Sequence, residues 1–176
     1  CSAKEKRQNG EIYYSRVDIE LINEHVRLFY SELDEVSISF TEDQFKIVEY
    51  VQLGFKDTFN YYPLEEVVIT FKDNASYDIE SKLLFEPPQF DRKTLYHLYN
   101  SNNALLEKLK SKIPLSKNEE KDLVNLPATY LICYFNQFHE AKEKLEESKP
   151  HLKVYDPNIY SLYKESIRIL RKVRYS

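Results

Sequence analysis

Most hydrophobic positions of the chain recur at steps of three and four residues, the spacing that is typical of amphipathic helices. The clearest stretch is residues 126–149, which predicts one central helix with Pro127 in its first turn and Pro150 at its end. Its apolar stripe consists of Ala128, Leu131, Ile132, Phe135, Phe138 and Leu145. The same reasoning predicts a helix over residues 15–36.

A second helix is predicted from about residue 41 to residue 60. Thr41 and Gln44 have the spacing of a capping box, and Phe40 and Phe45 are placed to form a hydrophobic staple around it. The first two helices would then pack as an antiparallel helical hairpin.

Residues 66–85 are ambiguous between two structures. A β-branched run and an alternating run flank a polar turn, which predicts a β-hairpin, whereas helical spacing from Pro63 predicts a helix instead. The prolines within residues 86–90 then mark a possible subdomain boundary.

Three further helix starts are visible downstream. Asp91 is placed to cap one helix, Ser116 and Glu119 form a second capping box, and Asp156 precedes Pro157 at the start of the last helix. The sequence therefore predicts a mainly α fold of six or seven amphipathic helices, arranged as a bundle or a short helical-repeat array. Residues 1–10 are predicted to be a flexible polar tether, and residues 11–176 a single helical domain.

Composition excludes several functional classes. The 176 residues include only two glycines, so the glycine-rich phosphate loops of nucleotide-binding folds are excluded. The formal net charge of −4 gives no general attraction to nucleic acid. The four histidines lack partners at metal-binding spacings, so we predict no metal site, no cofactor and no visible catalytic site.

The start of the chain, Cys1-Ser2-Ala3-Lys4, resembles the mature start of a bacterial lipoprotein. That resemblance implies a lipidated Cys1, a removed signal peptide and a location outside the cytoplasm on a bacterial membrane. The alternative is a cytoplasmic protein whose first residue is an accident of cloning.

The stretch around residues 128–148 resembles a tetratricopeptide repeat. The resemblance lies in Phe135 before a turn at Asn136, followed by Phe138, Ala141, Leu145 and Ser148 down a second helix. It implies a break of the central helix near Asn136 and a scaffold for protein interactions. Asn125 and Ala128 depart from the pattern, and no second copy follows at the repeat period.

Two groups of side chains are candidate sites. Tyrosine is unusually frequent, with 15 copies, and Tyr155, Tyr160 and Tyr163 form a candidate binding surface. The alternative is that these tyrosines only rim the core of a glycine-poor helical protein. Arg168, Arg171, Lys172 and Arg174 give the last helix a basic end, which either complements its dipole or faces anionic lipid.

These features predict a membrane-tethered, non-catalytic interaction protein of a bacterial envelope. Its expected partners are membrane lipid, through Cys1, and another envelope protein or peptide. The alternatives are a cytoplasmic helical adaptor and a helical enzyme whose acidic and histidine side chains meet only in three dimensions.

Overall fold

The computed structural model describes residues 2–6, 12–21, 26–31, 35–55, 58–72 and 76–175, which form seven strands and four helices. The strands are β1 (Ser2–Lys6), β2 (Ile12–Leu21), β3 (Val26–Ser31), β4 (Glu35–Phe40), β5 (Gln44–Phe55), β6 (Thr58–Phe71) and β7 (Tyr77–Leu83). The helices are α1 (Arg92–Lys110), α2 (Lys117–Phe135), α3 (Glu140–Tyr155) and α4 (Pro157–Tyr175). The prediction of a mainly α fold is therefore wrong, because the chain is α+β.

The chain divides into two compact units. The sheet unit comprises Cys1–Val51 and Tyr61–Phe85, and the helical unit comprises Gln52–Asn60 and Glu86–Ser176. Hydrogen bonds join the strands in the order β1-β2-β4-β5-β6-β7, and β3 pairs with β2 outside this order. The first strand, β1, lies within the predicted tether and pairs antiparallel with β2.

The two N-terminal helices predicted over 15–36 and 41–60 are replaced by strands β2 to β6. The β5 strand shows why: Ile47, Glu49, Val51 and Leu53 are all buried, so the inward positions repeat every two residues. In the sequence, the charged Glu49 interrupts the alternation of apolar residues. The neighbouring Val48 lies three residues before Val51, a spacing that is typical of a helix.

The predicted capping box is a hairpin turn. Thr41 N donates to Gln44 O at 2.9 Å, and the Thr41 hydroxyl donates to Asp43 Oδ1 at 3.0 Å. Phe40 and Phe45 face each other across the β4–β5 register, with ring centroids 6.2 Å apart. The two phenylalanines therefore meet as predicted, but as a cross-strand pair rather than as a helix staple.

The hairpin predicted over residues 66–85 is present. The β6 and β7 strands pair antiparallel from Glu65 opposite Leu83 to Phe71 opposite Tyr77. The sheet unit has its own hydrophobic core. It is built around Val36, Ile47, Val67 and Ile69.

The helix starts predicted in the C-terminal half are confirmed. The Asp91 side chain accepts from Thr94 N at 2.9 Å, and Ser116 N donates to Glu119 Oε2 at 2.9 Å in a complete capping box. The Asp156 side chain accepts from Asn158 N at 2.7 Å ahead of α4. These signals act over one helical turn, so they need no tertiary context.

The single helix predicted over 126–149 is wrong, because the chain breaks there into α2 and α3. Pro127 lies inside α2 instead of starting a helix, and the buried Asn102 amide donates to the neighbouring Leu126 O at 3.3 Å. Pro150 lies inside α3 on an exposed position, where water can hydrate the carbonyl that the proline leaves without a donor.

The helical unit has its own core. The fully buried side chains of α2 and α3 include Leu126, Tyr130, Cys133, Leu145 and Leu152. Tyr130 packs edge-on against Tyr99 of α1, and its hydroxyl donates to Asn103 Oδ1 at 2.9 Å. Among the described residues, no helix combines the length and the apolar character needed to cross a membrane.

Candidate functional site

The turn between α2 and α3 is tightly fixed. Phe138 N donates to Cys133 O at 2.9 Å and Gln137 N to Tyr134 O at 3.1 Å, the two bonds of a Schellman motif. The Asn136 amide also donates to Pro88 O at 3.0 Å, so the turn is attached to the segment that precedes α1. This end of the helical unit is therefore well ordered by hydrogen bonds.

A groove of about 670 Å³ begins at this turn and lies between α3 and α4. It is partly open to solvent. From α3 and the residue before it, the groove is lined by His139, Lys142, Glu146 and Lys149. From α4, it is lined by Tyr163, Ile167, Leu170, Arg171 and Val173. The lining from His139 to Lys149 covers ten helical steps, or about 15 Å.

Aromatic side chains at the end of α2 form one end of the groove. Tyr134 and Phe135 both line the groove, and their ring centroids are 5.5 Å apart. Tyr134 also meets the His139 ring edge-on at 6.3 Å. A smaller cavity of about 310 Å³ shares Phe135 and Gln137 with the groove and continues toward Arg92 at the start of α1.

The charged groups that line the groove form no ion pair with the described part of the chain. Among the described residues, Lys142, Lys149 and Arg171 have no carboxylate within ion-pair distance, and Glu146 has no cation within that distance. Other lysines of the helical unit do form ion pairs, such as Lys110 with Glu147 at 2.6 Å. The groove therefore carries an excess of positive charge on a chain whose formal net charge is −4.

The floor of the groove is apolar apart from one hydroxyl. Leu170 is 8 % exposed and Tyr163 is 6 % exposed. Burial raises the pKa of Tyr163, and the nearby negative charge of Glu146 raises this pKa further, so the phenol stays protonated at neutral pH. In the described part of the chain its hydroxyl has no hydrogen-bond partner, so it can donate to a group that enters the groove.

The structure separates the tyrosines predicted as one binding surface. Tyr160 and Tyr163 stack with centroids 5.7 Å apart and an interplanar angle of 9°. The Tyr155 hydroxyl instead donates to Glu120 Oε1 at 3.2 Å, near the start of α2. Tyr155 is not among the residues that line the groove, and it lies six residues, or about 9 Å, beyond Lys149 on α3.

The basic residues predicted as one group at the end of α4 also have different surroundings. Arg171 lines the groove, whereas Arg168 lies 3.9 Å from Glu165 on the same helix. Lys172 is half-buried outside the groove lining. The side chain of Arg174 and the whole of Cys1 lie outside the described part of the chain, so the lipid contact and the lipid anchor stay predictions.

Other reactive side chains do not form a second site within the described residues. Cys133 is fully buried, and burial raises its pKa to about 11. Among the described residues, histidine, cysteine and acidic side chains form no group that could hold a metal ion. His139 and Glu146 both line the groove, but they lie about 10 Å apart along α3, beyond hydrogen-bond reach.

Sequence reasoning missed Lys142, Glu146 and Lys149 as site residues. They occur in a run of alternating charges, which is the pattern of an ordinary solvated helix face. The only signal in the sequence is that the two lysines are seven residues apart, which places them on one side of α3.

Two residues with positive φ give a prediction about stability. Lys112 (φ 55°) follows α1 and Gln137 (φ 74°) follows α2, and each occupies the left-handed position that glycine prefers in a Schellman motif. Changing either residue to glycine is expected to raise the free energy of unfolding by about 1 kcal/mol, because the side chain no longer strains the backbone. Urea denaturation followed by circular dichroism measures the gain, and a loss of stability in both variants would contradict it.

Comparisons with known proteins give a family but no activity. No curated protein and no solved structure matches this chain. One family model matches it over residues 1–176. The chain therefore belongs to the family described as a domain of unknown function, DUF5929.

Proposed function

We propose that this protein is a non-catalytic binding protein that holds a segment of a partner protein in the groove between α3 and α4. The observation that carries the proposal is that one groove combines an apolar floor with charged side chains that form no ion pair with the described residues. Lys142, Lys149 and Arg171 lie around Tyr163 and Leu170, a composition that resembles the polar rim and apolar centre of protein interfaces.

The shape of the groove favours a segment of a protein over a small metabolite. Sites for small molecules bury most of the surface of their ligand, whereas this groove is partly open to solvent and extends about 15 Å along α3. That length accommodates about three turns of helix. The aromatic side chains of Tyr134 and Phe135 limit it at one end.

Hydrogen bonds also fix the backbone at one end of the groove. The Schellman motif fixes the turn between α2 and α3, and Asn136 attaches that turn to Pro88. A groove with a fixed backbone loses little conformational entropy on binding, which favours affinity.

Selection from a random peptide library displayed on phage tests this function and requires no assumption about the identity of the partner. The blocking variant is Glu146→Trp, which places a large ring in the groove from an exposed position on α3. The matched control is Glu143→Trp, since Glu143 is exposed on the same helix but does not line the groove. We expect peptides that bind the native protein and the control, but bind the blocked variant at least about tenfold more weakly.

Two outcomes would contradict the proposal. One is a selection that yields no enriched peptide. The other is a set of enriched peptides that bind the blocked variant and the control equally well. Circular dichroism of both variants verifies that the tryptophan substitutions leave the helices intact.

A further inference from the structure

The positive charges of the groove have a regular spacing along α3. Lys142 and Lys149 are seven residues apart, so they lie on the same side of the helix with their backbones about 10.5 Å apart. Arg171 reaches the groove from the opposite side, on α4. A ligand in the groove therefore meets cations on both of its flanks.

Glu146 lies between the two lysines and interrupts the positive side. It also lines the groove, and the described residues place no cation within ion-pair distance of it. A uniformly acidic ligand would be repelled at this position. A ligand with two negative groups about 10.5 Å apart, and with a neutral or basic group between them, complements all three side chains of α3.

The floor requires an apolar surface on the same ligand. Ile167, Leu170 and Val173 follow each other at steps of three residues along α4, and all three line the groove. This row is continued by the ring of Tyr163. An amphipathic helix offers apolar side chains at steps of three and four residues, so it can cover this row over its whole length.

We propose that the groove binds an acidic amphipathic helix of a partner protein, with two carboxylates seven residues apart that pair with Lys142 and Lys149. This inference rests on the proposed function and specifies the chemistry of the partner. The seven-residue spacing of the carboxylates reproduces the spacing of the lysines, because both segments are helices with the same rise per residue. Residues 86–176 contain 16 Lys and Arg against 12 Asp and Glu, so the helical unit attracts an acidic helix although the whole chain is negative.

Fluorescence anisotropy with designed peptides tests the inference. The first peptide is a segment of about ten residues, held helical by a covalent side-chain staple, with leucines on one side and two glutamates seven residues apart. The second has glutamine in place of both glutamates, and the third has its glutamates three residues apart. We expect the first peptide to bind about tenfold more tightly than either control, with a preference that decreases when salt is added.

Charge reversal in the protein gives the complementary test. The double variant Lys142→Glu and Lys149→Glu is expected to lose the preference for the first peptide. Its matched control is the double variant Lys121→Glu and Lys153→Glu, which changes two exposed lysines outside the groove lining and is expected to retain the preference. Neither groove lysine belongs to the buried core, so the variants are expected to fold, and circular dichroism checks this.

The outcomes separate this inference from the proposed function. Equal binding of the three peptides, or an equal loss with the control double variant, would overturn the acidic-helix inference. Library selection could still yield groove-dependent peptides in that case, and the proposed function would stand. Binding to vesicles of anionic lipid that depends on Lys142 and Lys149, without any peptide preference, would identify a lipid surface instead and would also overturn the inference.

Discussion

Replacement of Tyr130 by alanine is expected to lower the free energy of unfolding of the helical unit by about 4 kcal/mol. Tyr130 is fully buried on α2, and its ring contacts Tyr99 of α1 with centroids 6.1 Å apart. Its removal leaves a cavity the size of an aromatic ring between helices that the surrounding side chains can fill only in part. Urea denaturation followed by circular dichroism measures the loss.

The control for this variant is Tyr130→Phe. It retains the ring and removes only the hydrogen bond from the hydroxyl to Asn103, so the expected loss is about 1 kcal/mol. Asn103 is half-buried, and water can replace the lost donor. Equal losses in the two variants would contradict the packing of Tyr130 described above.

Replacement of Ile69 by alanine is expected to lower the stability of the sheet unit by about 3 kcal/mol. Ile69 is fully buried on β6, where it packs with Val36, Ile47 and Val67. Its neighbour across the strand pair, Ile79 on β7, is 46 % exposed. Ile79→Ala is therefore the matched control, with an expected loss below about 1 kcal/mol.

Hydrogen exchange of the β6 backbone measures this loss within the sheet unit. Exchange there is expected to become much faster in the Ile69 variant than in the Ile79 variant. A larger effect at Ile79 than at Ile69 would contradict the burial of Ile69 and the exposure of Ile79 on this face of the strand pair.

The helical half of the fold could be predicted because its signals are local. Asp91, Ser116 with Glu119, and Asp156 each bond within one turn of the helix they begin. Such contacts are fixed by a few consecutive residues, whatever the rest of the chain does. The β6–β7 hairpin was predicted for the same reason, since two strand-like runs flank a short turn.

The rest of the sheet could not be predicted because strand pairing depends on distant residues. In β5 the inward side chains alternate, but Glu49 is one of them, and the sequence gives no sign that a strand would bury this carboxylate. The turn at Thr41 to Gln44 uses the residue types that also cap helices. The local pattern of residues 41–60 is consistent with a helix and with a strand. The pairing of β4 with β5 stabilises the strand.

The groove depends on the break between α2 and α3, and this break contradicts the simplest helical pattern. A continuous stripe of apolar residues crosses Asn136, and only the Schellman motif at Gln137 and Phe138 ends α2 there. The tetratricopeptide resemblance placed a turn at this position, although membership of that family stays a prediction. Tyr163 and Arg171 were named as candidates on the sequence, but their partners on α3 became visible only when α3 and α4 were placed side by side.

The most direct test of the account is the hydrogen exchange footprint of a library-selected peptide on the full chain. The account predicts slower exchange at residues 139–149 and 163–173, the two segments that line the groove, with no comparable change in the sheet unit. Protection confined to the strands, or to the region around Tyr155 at the far end of α3, would contradict the assignment of the groove as the binding site.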